Sequence, residues 1–485
     1  MIANIAETKP HIHTNGHHER KHSIIPPEAT AAFLAAHPGF VPSEFPPQHY
    51  DLAVSNFIDP GKATEETDAM IDVNVKSGER ASYNGHWSPY EAQLAKMTTH
   101  AGVYNVPEYQ GNPYTMVIQS DAAEVAHVAA IEALREQPIE VVAPFAQEPE
   151  TIEGVINYAA SRVGMDRVHA INAGVDRTSA ELAASTGAEI THQPDILRHI
   201  DIKKLQEYGV IPADLDKLKG SKGLTMYTAL LKLEAMGRLS GRYIAFHDTD
   251  IVNAGPKDGS RGTEEDYAAL DYLALPLAYP VGPVNAVHIA KTGNGRNNES
   301  WTGEVGHMMN DENPQIQHLA HYIAPLVWPL TGERMIKVDV LRKIPFPTDM
   351  NVETMLDFAV CGIDAQEGQR KLMQVANATP KRENRESTNP REWGMIYACE
   401  AGLKTYFNTV RQTGKYPHEW DHEIIGIYNM MYGNKPYRAA TKDEHIHRPQ
   451  QIVKSTRGIL MPTIDQLYEL DAVDWDGIRQ EIGVK

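Results

Sequence analysis

Apolar and polar positions change rhythm along this chain near residue 139. Upstream, residues 26 to about 135 are rich in proline and aromatic side chains, with little periodicity before the helical stretch Ala122–Arg135. From Ile139 the pattern becomes regular. Ile139-Glu-Val-Val-Ala-Pro-Phe145 is a short apolar run of strand length, and Ile152, Val155, Ile156, Ala159 and Val163 then recur at helical spacing. Arg167–Asn172 reads as a second strand, ended by Gly174, and Ala188–His192 as a third. A helix from about Lys222 to Met236 turns Leu224, Tyr227, Leu231 and Ala235 inward, and the strand Tyr243–Asp248 follows it. Strands alternating with helices predict an α/β fold, a mainly parallel sheet covered on both faces. Ligands of such sheets sit at the carboxyl ends of the strands. Pro144–Glu148 and Asp248–Asp250 both stand at such ends.

The remaining segments set the expected organisation. Asp195–Lys219 is charged and reads as a helical insertion, and helices are predicted over Trp393–Arg411, Glu423–Met431 and Ile464–Ile482. The plan is a disordered, histidine-rich arm (1–25), an N-terminal extension (26–135), a sheet domain (136–390) and a helical C-terminal region (391–485). Acidic residues outnumber basic ones by 64 to 45, a net charge of −19. That balance disfavours nucleic acid and anionic membrane as partners, though a locally positive pocket is still allowed. The two cysteines, Cys361 and Cys399, form neither a CxxC pair nor a secreted framework, which fits a reducing compartment. The N-terminus lacks a signal-peptide pattern, and the uncharged stretch Tyr272–Ala290 is broken by Pro276, Pro280 and Pro283. The expectation is a soluble, cytoplasmic protein.

Three local features carry chemistry. In His247-Asp248-Thr249-Asp250, directly after an apolar strand, two carboxylates at i and i+2 of extended backbone point to one side and can share a hard divalent cation. Gly220-Ser221-Lys222-Gly223 opens a helix, where exposed amides, the positive end of the helix and the Lys222 charge favour phosphate. Pro144-Phe-Ala-Gln-Glu148 ends the first strand and can edge a nucleobase. Taken singly, an aspartate pair after a strand also serves as a turn or helix cap, and a glycine-lysine loop as a flexible helix entry.

Their order adds to this. The succession of a Pro/Glu loop, a strand with Gly174 and Asp176, a Gly-Lys-Gly helix start and Asp-x-Asp resembles a retaining glycosyltransferase of the GT-A type, with a Rossmann-like nucleotide-diphospho-sugar fold. More closely it resembles the glucosyl-3-phosphoglycerate synthase family and its relative, mannosylglycerate synthase. Further matching stretches are Thr292-Gly-Asn-Gly-Arg296, Pro329-Leu-Thr-Gly-Glu333, and Ile344-Pro-Phe-Pro followed by Asn351-Val-Glu353. The resemblance spans about residues 139–390.

It implies that Pro144, Phe145, Ala146, Glu148 and Gly174 line the nucleotide side of a donor site. Lys222 would meet the diphosphate, while Asp248, Thr249 and Asp250 face it with Mg²⁺ or Mn²⁺ held by Asp248 and Asp250. Thr331, Gly332 and Glu333 would shape the sugar pocket, and Glu353 would stand near the reacting sugar, so that Glu353, Asp250 and Lys222 carry the catalysis. Gly295, Arg296, Asn298 and Asn384 would hold a small anionic acceptor; the arginine fork matches carboxylate and phosphate oxygens. UDP-glucose and 3-phosphoglycerate are the implied pair, with GDP-mannose and glycerate, or a non-catalytic sugar-nucleotide-binding protein, as alternatives. A homodimer is compatible with this reading. A nucleotidyltransferase fits less well, because its glycine-rich first loop is here Ala143-Pro-Phe-Ala-Gln-Glu148. One position departs from the family: Arg382 stands where the resemblance implies a metal-ligating histidine, and His445 and His447, in Glu444-His-Ile-His-Arg448, are the candidate substitutes.

Overall fold

The computed structural model describes residues 103–105, 115–118, 123–174, 176–215, 218, 221–256, 266–278, 284–290, 308, 311–323, 326, 332–349, 351–369, 371–376, 390–433 and 458–484. Nine strands form one sheet: β1 (Val103–Asn105), β2 (Thr115–Ile118), β3 (Ile139–Phe145), β4 (Val168–Asn172), β5 (Ile190–His192), β6 (Tyr243–Phe246), β7 (Ala286–Ala290), β8 (Arg334–Lys337) and β10 (Leu372–Ala376). Their order is β1-β2-β10-β7-β8-β6-β3-β4-β5. The pairs β3–β4, β3–β6, β4–β5, β7–β10 and β2–β10 are parallel. β8 runs antiparallel to both β6 and β7, and β1 is antiparallel to β2. The sheet is therefore mixed but mainly parallel. A separate two-stranded sheet joins β9 (Phe346–Pro347) to β11 (Leu460–Met461).

The helices are α1 (Ala123–Glu136), α2 (Ile152–Val163), α3 (Arg177–Ser185), α4 (Lys222–Ala235), α5 (Ala269–Ala278), α6 (Pro314–Ile323), α7 (Val352–Glu367), α8 (Pro390–Thr413), α9 (His422–Gly433), α10 (Ile464–Glu469) and α11 (Trp475–Glu481), with shorter helical turns between them. Every residue of β3 is buried, as a central strand covered on both faces requires. Alternate strand residues feed two cores. Val141, Ala245, Val287 and Met335 pack with α1, α2 and α5. Val142, Ile244, Phe246 and Ile336 pack with α4, α6, α7 and α8. Leu460, Leu467 and Ile478 belong to this second core, so the C-terminal segment shares the hydrophobic interior of the sheet's α4 face. On the other face a buried fork closes α2 onto α5: Arg162 donates Nε to Asp271 Oδ1 at 2.7 Å and Nη2 to Oδ2 at 3.1 Å.

Two segments differ from the sequence expectation. Ile464–Ile482 is two helices, α10 and α11, separated by a turn with Asp471 at φ 48°. The break is local: Asp474 caps α11 by accepting from the Gly477 amide at 2.9 Å, and Val473 pairs with Ile200. Asp195–Lys219 is helical as expected, but in short pieces, at Gln193–Leu197 and Ile202–Glu207. Asp201 starts the second by accepting from the Lys204 amide at 3.0 Å, and Gly209, at φ 69°, lies just past its end.

Candidate functional site

Helix α4, helix α7 and the carboxyl end of β6 bring three charged side chains together. After Phe246 the chain is pinned through Thr249, whose hydroxyl donates to the Pro144 carbonyl at 2.7 Å, while the Thr151 hydroxyl donates to the Thr249 carbonyl at 2.6 Å. Thr249 thus works as a strut between the ends of β3 and β6. Its neighbours Asp248 and Asp250 are 9% and 6% exposed, close to the surface without facing bulk water. Gly332 packs on Asp248 so closely that a side-chain carbon there would overlap the carboxylate. The adjoining Glu333 is buried, and the Tyr267 hydroxyl lies 3.4 Å from its Oε2.

Lys222 is the first residue of α4, and its ammonium is held between Asp248 Oδ1 and Glu353 Oε1, the latter at 2.5 Å. Glu353 lies in the first turn of α7. Its Oε2 has no hydrogen-bond partner among the described residues. Burial raises the Glu353 pKa and outweighs the pull of Lys222; Asp248 raises it further, and Arg334 lowers it. The Lys222 ammonium therefore bridges two carboxylates, one of them fully enclosed by the fold.

A second layer fixes this group. Arg334, fully buried in β8, donates to the Glu353 backbone carbonyl and lies 3.4 Å from Asp357. His288 faces Asp357 at 3.3 Å and makes a 3.0 Å hydrogen bond to Gln374. Sequence reasoning missed Asp357, His288 and Arg334. The available signal was spacing: Glu353 and Asp357 are four apart and share a face of α7.

The Pro144–Glu148 loop is held both by its own side chain and by its neighbours. Glu148 Oε2 accepts from the Ala146 and Gln147 amides at 2.6 and 2.7 Å, and the Glu148 amide donates to Ser179 Oγ at 3.0 Å. Ser179 in turn sits in the cap that Asp176 makes for α3. Phe145 is buried and Ala146 half-buried. Gly174, at φ 83°, adopts a backbone that side-chain-bearing residues avoid, and its amide donates to Asn172 Oδ1 at 2.9 Å. An open cleft of about 520 Å³ lies beyond the ends of β4 and β5, lined by residues that include Asn172, Gly174, Asp176 and His192.

The structure thus gathers Lys222, Asp248 and Glu353, keeps Thr249, Asp250, Gly332 and Glu333 beside them in sequence and at the same strand ends, and puts Pro144, Phe145, Ala146, Glu148 and Gly174 at the ends of the neighbouring strands. Gly220, Gly295, Arg296, Asn298, Thr331, Arg382, Asn384, His445 and His447 lie outside the described residues, as do the histidine-rich arm and most of the N-terminal extension. Asp248 and Asp250 offer hard carboxylate oxygens, a donor set suited to Mg²⁺ or Mn²⁺. Among the described residues no three His, Cys, Asp or Glu side chains converge as a ready-made metal centre. A cation held here needs further oxygens from a ligand or water. No helix of the described residues is long and apolar enough to cross a membrane.

No protein-family model matches the chain, and no curated protein does. Solved structures similar to this chain include three of glucosyl-3-phosphoglycerate synthase from Mycobacterium tuberculosis. The complex with phosphoglyceric acid has 18% identity and a TM-score of 0.40, covering 59% of this chain and 85% of that one. The complex with Mg²⁺ and uridine diphosphate has 19% identity and a TM-score of 0.41, covering 62% and 86%. The complex with Mn²⁺, UDP-glucose and phosphoglyceric acid has 19% identity and a TM-score of 0.40, covering 59% and 84%. Likeness at this level assigns no activity to this chain, whose own residues have to carry one.

Proposed function

We propose that this chain is a cytoplasmic retaining glycosyltransferase of the GT-A type, moving a hexose from a nucleotide-diphosphate sugar to a small anionic acceptor. One observation carries the reading: the Lys222 ammonium at a helix N-terminus sits between Asp248 and Glu353 at the carboxyl end of a sheet strand. A helix start with a lysine suits a diphosphate. Carboxylates beside it suit a cation and a sugar. UDP-glucose and 3-phosphoglycerate are the pair we favour, on the order of the sequence motifs.

Asp248 and Asp250 would hold Mg²⁺ or Mn²⁺. That ion supplies Lewis-acid neutralisation of the departing diphosphate. Lys222 adds a second positive charge against the same group. Glu353, kept dry by its burial, would face the sugar, and Gly332 leaves the room that a bulkier residue would take from Asp248. In the transfer, the bond from the anomeric carbon to the diphosphate oxygen breaks and the bond to the acceptor oxygen forms on the same face. The acceptor proton passes to the departing diphosphate, so no protein nucleophile is needed. Arg296 would grip the acceptor's carboxylate or phosphate.

The test is a thermal-shift screen of UDP-glucose, GDP-mannose and other nucleotide sugars, with and without Mn²⁺, followed by detection of released nucleotide diphosphate with 3-phosphoglycerate or glycerate added. A ligand at 100 times its dissociation constant stabilises by about 2.7 kcal/mol, a readable shift. Stabilisation by a nucleotide sugar with no turnover on any acceptor would leave a binding protein. No shift with any of them removes the donor site.

A further inference from the structure

We infer that Tyr432, in the C-terminal segment, is a positioning residue for the Lys222–Glu353 pair, acting through Asp349; the inference rests on the proposed catalytic role of that pair. The two helices that present the pair meet at one short stretch of backbone, Pro347–Asp349, and hydrogen bonds from Tyr432, Ile459 and β11 hold this stretch from behind.

On its front side the stretch supports α4. The Leu224 amide donates to the Thr348 carbonyl at 3.0 Å, and Ser221 Oγ donates to the same oxygen. Gly223 lies against the backbone of Pro347–Asp349 with no room for a side-chain carbon, so the first turn of α4 is seated directly on it. The stretch also begins α7: the Val352 amide donates to the Asp349 carbonyl at 3.2 Å and the Asn351 amide to Asp349 Oδ1 at 3.1 Å. A displacement of Thr348 or Asp349 therefore moves the start of both helices, and with them Lys222 and Glu353.

On its back side the clamp is C-terminal. The Thr348 amide donates to the Ile459 carbonyl at 2.9 Å, the Ile459 amide donates to Thr348 Oγ1 at 3.1 Å, and β11 pairs with β9. The Tyr432 hydroxyl donates to Asp349 Oδ2 at 2.6 Å, and both side chains are nearly buried. Gly458 lies on the same carboxylate, leaving no space for a larger residue. The Asp349 side chain thus holds α7 with one oxygen and the C-terminal segment with the other. Removing the tyrosine hydroxyl frees one side of that link while leaving the ring's packing in place.

The test compares Tyr432→Phe with a control, Gln466→Ala. The control removes two hydrogen bonds of the same segment, from the Thr463 amide at 2.9 Å and to the Trp420 carbonyl at 2.6 Å, without touching Pro347–Asp349. Two quantities are read on the full chain. The first is amide hydrogen exchange at Leu224 and Val352, which needs no substrate; Tyr432→Phe is expected to speed it about tenfold, with Val141 and Ala170 of the sheet unmoved. The second is hexosyl transfer, where kcat is expected to fall about tenfold with acceptor KM unchanged. Asp349→Asn, which keeps the Oδ1 acceptor and loses the charge that Tyr432 binds, repeats both readings if the phenylalanine variant does not fold. Exchange that rises equally in Gln466→Ala, or that stays unchanged at Leu224 and Val352, overturns the inference. A wild-type chain that transfers no hexose overturns the functional proposal instead, and the exchange measurement then decides alone whether Tyr432 sets the two helix starts.

Discussion

Glu140 and Glu353 are both buried carboxylates beside cationic side chains, yet they sit at opposite ends of the sheet and are treated in opposite ways. Glu140, near the start of β3, receives three donors: His169 Nε2 at 2.8 Å and Arg238 at 3.4 Å on one oxygen, and Arg242 at 2.6 Å on the other. Burial pushes its pKa up, but the His169 hydrogen bond and the neighbouring charges outweigh that, and the net shift is downward. His169 is itself pushed down by burial, against the pull of Glu140, with Lys232 adding to the fall. Glu353 shares the Lys222 ammonium with Asp248, keeps one oxygen without a hydrogen bond among the described residues, and has its pKa raised by burial. The first cluster is saturated and holds strands together. In the second, burial outweighs the charges of Lys222 and Arg334, and the carboxylates of Asp248 and Asp250 stand beside it with oxygens suited to a divalent cation.

The sharpest way to break this contrast is to remove the shared cation. Lys222→Met keeps most of the stem and loses the charge. Turnover is expected to fall on the order of 100-fold, as for loss of one electrostatic donor at a reacting group, with donor affinity measured by calorimetry falling alongside. Unchanged donor affinity would take the Gly-Lys-Gly loop out of the site.

Next in size is the saturated cluster. Glu140→Gln leaves Arg238 and Arg242 facing a neutral amide, and is expected to cost about 2 kcal/mol of stability. That is below the roughly 3–5 kcal/mol seen when a fully buried pair is broken, because the arginines, at 29% and 32% exposure, can recover hydration. The sign follows from the lowered pKa of Glu140: its stabilisation is present above the unfolded-state value and is lost as pH falls toward the folded one. The gap in Tm between wild type and variant should therefore close on acidification below the ordinary carboxylate range. Turnover at neutral pH should stay near wild type.

How much of this contrast the sequence carried depends on range. The alternating strands and helices, the strand end at Asp248, the helix start at Lys222 and the carboxylate Glu353 were all legible, because each has a signal within a few residues. The pairing of these into one ion cluster was not, since Lys222 and Glu353 are 131 residues apart. Nor was the clamp on Pro347–Asp349. Strands β9 and β11 have two residues each, too few for any periodicity, and the hydrogen bond between Ile459 and Thr348 spans 111 positions. The charged stretch after Asp195 was legible as helical, while its division into short helices by its caps and Gly209 was not.

A smaller effect sharpens the comparison at the metal. In this structure Lys222 occupies an oxygen of Asp248 that a divalent cation would use. Mn²⁺ should therefore bind weakly before the donor arrives, and Lys222→Met should bind it a few-fold more tightly, on the scale of a partly exposed ion pair. Electron paramagnetic resonance titration of Mn²⁺ without nucleotide measures this. Asp248→Asn and Asp250→Asn should both abolish it, and binding that survives both substitutions places the ion elsewhere. Activity that persists fully in EDTA and is indifferent to Asp250→Ala would return the aspartate pair to a turn after a strand.

The smallest expected effect is also the most direct comparison, because it makes the same substitution at the other end of the sheet. Glu353→Gln replaces a carboxylate whose burial already opposes ionisation, so the amide gives up little that the folded chain gained from the charge. Lys222 keeps Asp248 as its partner. Stability should change by less than about 1 kcal/mol at neutral pH, against about 2 kcal/mol for Glu140→Gln. The raised pKa sets the sign of the pH dependence. Stability linked to Glu353 is fully present below the unfolded-state value and is lost as pH rises through the folded one. The variant should accordingly gain on wild type as pH climbs just above the ordinary carboxylate range, the reverse of the Glu140 trend. Chemical denaturation of both variants across that range reads the two slopes side by side. Equal losses, or slopes of the same sign, would mean that Glu353 is as well paired as Glu140 and that its burial does not outweigh the charges around it.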